Sequence, residues 1–128
     1  MPKNIHETDE IRNIIHDWIN IKGKLEWNNF AYINDWVDFG SAGTIGCQYA
    51  KDVFGRVYFR GICKDGSTAN PFVVPEDYRP PYNVYFPIMT AYLAVAASYI
   101  TITPAGVVTL YQYSNTWVAI DGVSYSTI

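Results

Sequence analysis

Hydrophobic positions follow two different rules along this chain, one before residue 25 and another after residue 36. In the first part, Ile11, Ile14, Ile15, Trp18 and Ile19 recur at helical spacing and mark an amphipathic helix. Thr8 or Asp9 can cap its start, Glu10 suits the first turn, and Gly23 ends it. The subset Ile11, Ile14, Trp18, Ile21 and Leu25 also fits the a and d positions of a heptad. Isoleucine at both positions shifts coiled coils from dimers towards trimers and higher states. The pattern covers only about two heptads, and a helix that short is marginal alone. Two readings therefore stand: a helix that pairs with partner helices, or one that packs on the body of its own subunit.

From Trp36 onward the pattern is that of strands and turns. Arg56 to Ile62 alternates, with Val57, Phe59 and Gly61 on one face and Tyr58 and Arg60 on the other. Tyr99–Thr103 and Val107–Tyr113 are β-branched and aromatic runs joined by Pro104-Ala105-Gly106, a hairpin connection. Asp65-Gly66 reads as a hairpin-type turn, and Ser114-Asn115-Thr116 and Asp121-Gly122 bracket a strand at Trp117–Ile120. Further strands are expected at Trp36–Phe39, Ile45–Tyr49, Phe72–Val74, Val84–Phe86 and Tyr92–Ala96. Eight to ten short strands with this punctuation predict a mainly β fold, an antiparallel sandwich or jelly roll with a short N-terminal helix. The expected organisation is a helical arm over 1–25, a linker over 26–35 and a β head over 36–128.

Composition narrows the function. Charged residues make up only 16% of the 128, against about 25% in ordinary soluble domains, while aromatics make up 16%. Residues 82–128 hold one charged side chain, Asp121, and seven of the eleven tyrosines. A net charge of −3 without a basic cluster argues against nucleic acid and anionic membrane partners. No apolar run approaches the roughly 18 residues of a membrane span, and Met1–Glu10 lacks the apolar segment of a secretory signal. Cys47 and Cys63 read either as buried free thiols or as one bridge.

A search for catalytic chemistry returns little. His6 and His16 both lie in the arm, so the head has no histidine for a nucleophile–base pair, and no metal or other cofactor site is expected. The carboxylates of the head, Asp35, Asp38, Asp52, Asp65, Glu76, Asp77 and Asp121, sit mostly in turns and a proline-flanked loop. They form no evident glycosidase pair. What remains is a surface rich in Tyr, Trp, Ser, Thr and Asn, which offers flat apolar faces beside neutral hydrogen-bonding groups. That chemistry suits a saccharide. Tyr111, Tyr113 and Trp117 flank the Ser114–Thr116 turn, so these three, with Asp121 and Tyr92, are the candidate ligand-binding residues. The same aromatics serve equally as core or interface residues.

Several phrases also match a known family. Gly55-Arg56-Val57-Tyr58-Phe59-Arg60-Gly61-Ile62-Cys63-Lys64-Asp65-Gly66 resembles the G-x-V-x-L-R-G-x-x-K-x-G strand of phage tail-fibre and baseplate receptor-binding heads. Val74-Pro75-Glu76-Asp77-Tyr78-Arg79-Pro80 resembles their L-P-x-x-Y-R-P loop, and Ile102 to Val108 resembles their I-x-x-x-G-x-V hairpin. Trp117 to Tyr125 resembles their terminal W-x-x-L-D-G-I-S-F strand. Order and spacing hold over about residues 36–128, with Phe59, Val74 and Ile120 standing where the family has Leu. Met89–Ser98 matches none of these phrases.

The resemblance implies a non-enzymatic β head, assembled as a homotrimer at the tail tip or baseplate of a virion after synthesis in the host cytoplasm. Its partners would be bacterial cell-surface polysaccharide and other tail or baseplate proteins. Ile11, Ile14, Trp18 and Ile21 would then form the trimer or partner helix. None of the shared phrases is a binding motif, so no ligand residue is carried over. A structural module that docks to other virion proteins through the helix is the alternative. Light scattering at micromolar concentration is expected to give a mass near three times 14.5 kDa, and a clean monomer contradicts the trimer.

Overall fold

The structure, a computed structural model, describes residues 10–14, 25–91 and 97–128. Among them are eleven short strands in three antiparallel sheets, one short helical stretch at residues 10–14 and a 3-10 turn at Glu76–Tyr78. The mainly β antiparallel class expected from the sequence is the one observed. No helix of the described residues is long and apolar enough to cross a membrane. Trp18, Ile21, the helix end at Gly23 and the expected strand Tyr92–Ala96 lie outside the described residues.

The first sheet runs β1 (Asn28–Asn29), β3 (Gln48–Lys51), β4 (Arg56–Arg60) and β11 (Ser124–Ser126). The second runs β2 (Val37–Asp38), β5 (Ile62–Lys64), β10 (Val118–Ala119) and β7 (Met89–Thr90). The third runs β6 (Val84–Pro87), β8 (Tyr99–Ile102) and β9 (Val108–Tyr111). Alternation places Val57 and Phe59 of β4 in the core, as the sequence pattern requires. The hairpin at Pro104-Ala105-Gly106 forms as expected, pairing Ile102 with Val108. The stretch 26–35, read as a linker, instead contributes β1 and the core residue Phe30, whose ring stacks on Phe72 at 3.7 Å.

Two strands change sheet, and both corners have a local cause. β4 passes into β5 through Gly61, whose φ of 110° only glycine adopts without strain. A Cβ there would also collide with the Gly46 carbonyl oxygen. The corner is held on its open side by the Asp121-Gly122 turn: Asp121 Oδ1 accepts the Gly61 N–H at 3.0 Å, and the Ile120 N–H donates to the Gly61 carbonyl at 3.0 Å. β6 passes into β7 at Ile88, whose N–H donates to the Ser98 carbonyl at 3.1 Å.

Asp65-Gly66 does not close a hairpin. β5 pairs with β2 and β10, and Asp65 at φ 65° turns the chain into the 67–72 loop, its N–H held by the Asn115 carbonyl at 2.8 Å. Gly66 lies against the face of Trp36, a buried indole whose Nε1–H donates to the Thr68 carbonyl. The expected strand at Phe72–Val74 reduces to one bridge, Val73 with Val107, and Ile45–Tyr49 becomes strand only from Gln48. Cys47 and Cys63 are both free and buried in the core, and the Cys63 thiol together with burial pushes the Cys47 thiol up, which keeps it protonated and unreactive.

Two glycines separate packing from backbone strain. Gly66→Ala forces a methyl into the Trp36 ring and is expected to cost about 3 kcal/mol or more in denaturant unfolding. Gly43→Ala, at φ 82° with no atom within 4 Å of its Cβ, is expected to cost only about 1–2 kcal/mol. Equal losses at the two positions contradict the packing role given to Gly66.

Candidate functional site

The third sheet has one face in the core and one turned outward. Val84, Ile100, Ile102, Val108 and Leu110 are buried on the inner face. The register pairs Pro87 with Tyr99 and Tyr99 with Tyr111, while Tyr85 pairs with Thr101 and Thr101 with Thr109. Directly paired residues share a face, and residues two apart along a strand share it too. Tyr85, Tyr99 and Tyr111 therefore stand together on the outer face, one on each strand.

Their rings form a row across the strands. Tyr99 and Tyr111 lie 4.8 Å apart with planes 10° from parallel, and Tyr85 lies 6.4 Å from Tyr99 at 32°. Stacked rings cover one face of each other, so the row presents ring edges, phenol oxygens and the open faces at its two ends. Tyr85 is 69% exposed and Tyr111 42%. None of the three hydroxyls has a hydrogen-bond partner among the described residues. The contrast with the structural tyrosines is direct. Tyr32 donates to Asp38 at 2.7 Å, Tyr58 to Asp52 at 3.0 Å and Tyr125 to the Tyr78 carbonyl. Burial, the neighbouring Cys47 and the bond to Asp38 push the Tyr32 hydroxyl up, and burial does the same to Tyr125.

Two shallow pockets meet at Pro87. One, of about 330 Å³, is lined by Tyr85, Phe86, Pro87, Ala97, Ser98 and Tyr99. The other, of about 350 Å³, lies at the β6–β7 corner and is lined by Pro87, Ile88, Met89, Ala119 and Asp121. Both are at the small end of the roughly 300–1,000 Å³ range of ligand sites. Asp121 is the sole charged side chain in residues 82–128.

The sequence candidates distribute unevenly over this surface. Tyr111 ends the tyrosine row, and Asp121 lines the second pocket while one of its oxygens holds the Gly61 corner. Tyr113 is half-buried against the core, its ring 5.9 Å from that of Trp36. Trp117 is half-buried before β10, and its carbonyl accepts the Ala91 N–H at 3.1 Å. Of the three aromatics flanking the Ser114–Thr116 turn, Tyr111 is thus exposed while Tyr113 and Trp117 are half-buried. Tyr92 lies outside the described residues. Tyr85 and Tyr99 were not among the candidates, although a hairpin centred on Ala105 sets Tyr99 opposite Tyr111 and the Val84-Tyr85-Phe86 alternation turns Tyr85 outward.

The carboxylates have local uses. Asp52 Oδ1 accepts the Phe54 and Arg56 N–H groups; burial raises its pKa, but these bonds and the Tyr58 hydroxyl outweigh that and hold it low. Asp38 accepts from Tyr32, and Asp65 lies 3.8 Å from Lys64. Among the described residues no group of His, Cys, Asp or Glu is placed to hold a metal ion. Comparison with protein-family models, with curated proteins and with solved structures finds no match to this chain.

The separation of exposed from core-packed aromatics has a simple check. Tyr113→Ala is expected to lower stability by about 1–3 kcal/mol, whereas Tyr85→Ala stays within about 0.5 kcal/mol of the parent in the same melt. Comparable losses from both contradict the assignment of Tyr85 to a free surface.

Proposed function

We propose that this chain is a non-enzymatic host-adhesion domain of a phage tail fibre or baseplate, and that its tyrosine row binds bacterial surface saccharide. The observation that carries the reading is the row itself: Tyr85, Tyr99 and Tyr111 aligned on an uncharged sheet face with free hydroxyls. A sugar offers apolar C–H faces to ring surfaces and hydroxyls to phenol oxygens, so neutral aromatics satisfy both without desolvating a charge. The four phrases shared with tail-fibre heads support the same reading from the sequence. In a trimer, three linked heads multiply a weak single-site affinity through effective concentration. Ile11 and Ile14, 57% and 67% exposed in the single chain, fit a helix that is covered by partner helices.

The same two exposed isoleucines favour a second reading, a structural module that docks to other virion proteins and never touches the host. A pull-down on host cell walls separates the two. The full chain is expected to bind, and Tyr85→Ala with Tyr111→Ala to weaken binding at least tenfold with an unchanged melting temperature. No wall binding by the parent chain leaves the structural module as the account. Sustained release of reducing ends from the wall polymer contradicts the non-enzymatic assignment.

A further inference from the structure

Asp121 is an anomaly on this surface. It is the only charged side chain in residues 82–128, and it lines a pocket whose other walls, Pro87, Ile88, Met89 and Ala119, are apolar or neutral. Its Oδ1 is occupied by the Gly61 N–H at 3.0 Å, which fixes the carboxylate against the β4–β5 corner. Its Oδ2 has no partner among the described residues, and no Lys or Arg forms an ion pair with it there. The corner needs only a hydrogen-bond acceptor at Oδ1, and Asn would supply one. Among the described residues the negative charge has no ion-pair partner.

The structure assigns that charge to ligand recognition: the Asp121 pocket takes a protonated amino group carried by a sugar, while the next ring of the same chain sits in the pocket of Tyr85 and Tyr99. The inference rests on the saccharide reading above and deepens it by naming the ligand as an oligosaccharide with a free amine. Three features support the choice. The two pockets share Pro87 as a common wall, so a linked pair of rings can occupy both. A fixed carboxylate with an open oxygen makes a charge-assisted hydrogen bond to an ammonium group, stronger than one to a neutral hydroxyl. No Lys or Arg among the described residues pairs with it, so the carboxylate keeps its charge for an incoming cation. Neutral sugars, by contrast, would be served by Asn at this site as well as by Asp.

The probes are short β-1,4-linked glucosamine oligomers with free amines and their fully N-acetylated counterparts, titrated by calorimetry in mildly acidic buffer where a sugar amine carries its proton. The free-amine oligomer is expected to bind the parent chain at least tenfold tighter, with the preference shrinking as salt is raised. Asp121→Asn retains an acceptor for the Gly61 N–H, so its melting temperature is expected to match the parent. It should erase the preference, bringing the affinity for the free-amine oligomer down to that for the N-acetylated one. Equal affinity of the parent for the two oligomers, or a preference that survives Asp121→Asn, overturns the assignment. If the N-acetylated oligomer binds and Tyr85→Ala abolishes that binding, the saccharide reading stands even where the amine preference is absent. If neither oligomer binds the parent chain, the amino-sugar assignment fails, and wall binding by the same sample decides the saccharide reading separately.

Discussion

The stacking of Phe30 on Phe72 is the contact on which the remainder of the head depends. The two rings lie 3.7 Å apart and 9° from parallel, and Phe59 meets both edge-on at 5.0 and 6.2 Å. Phe30 follows β1 of the first sheet, Phe59 belongs to β4, and Phe72 adjoins the bridge that ties the 67–72 loop to the β8–β9 hairpin. One aromatic cluster therefore joins the first sheet to the third. Tyr125 extends it from β11, 5.7 Å from Phe59. Strands of two to five residues bury too little apart to be stable alone, so the sheets persist because this shared core fixes them to one another.

The site is a consequence of that arrangement. Burying the inner residues of β6, β8 and β9 fixes the register, and with a side-chain period of two the outer residues are then fixed as well. Tyr85, Tyr99 and Tyr111 stand in a row because Ile100, Ile102, Val108 and Leu110 must face inward. The second pocket has a different origin. It forms where β6 leaves its sheet at Ile88, and its carboxylate is there because the β4–β5 corner needs an acceptor for the Gly61 N–H. Two solutions to packing problems thus place a neutral aromatic surface and an isolated negative charge on either side of Pro87. The scarcity of charge in residues 82–128 suits a neutral polyhydroxylated ligand on one part of this face and leaves Asp121 free to act on another.

Much of the fold was legible because alternation and turn residues are local signals. The β4 strand, the β8–β9 hairpin and the Asp121-Gly122 turn follow from short stretches of sequence. The failures were at positions decided by distant partners. Asp65-Gly66 has the chemistry of a hairpin turn, but Gly66 is required by the Trp36 ring, thirty residues away in sequence. Asn28 to Phe30 looked like a connector because nothing nearby reveals that Tyr49 and Phe72 await it. The site was half legible for the same reason. Tyr111 stands out in the sequence by its place beside a turn, whereas the row it forms with Tyr85 and Tyr99 becomes visible only when the three strands are set in register. The contact of Tyr113 with Trp36 was not legible either, because it is long-range.

The proposed ligand surface is the outer face of the β6–β8–β9 sheet. The most direct test is a two-dimensional NMR titration of the isotope-labelled chain with oligosaccharides released from host cell wall. The account predicts saturable shifts in the ring signals of Tyr85, Tyr99 and Tyr111 and in the backbone signals of the strands that carry them, with the face formed by β1, β3, β4 and β11 unmoved. Shifts confined to that first sheet, or no saturable shift at all, would contradict it.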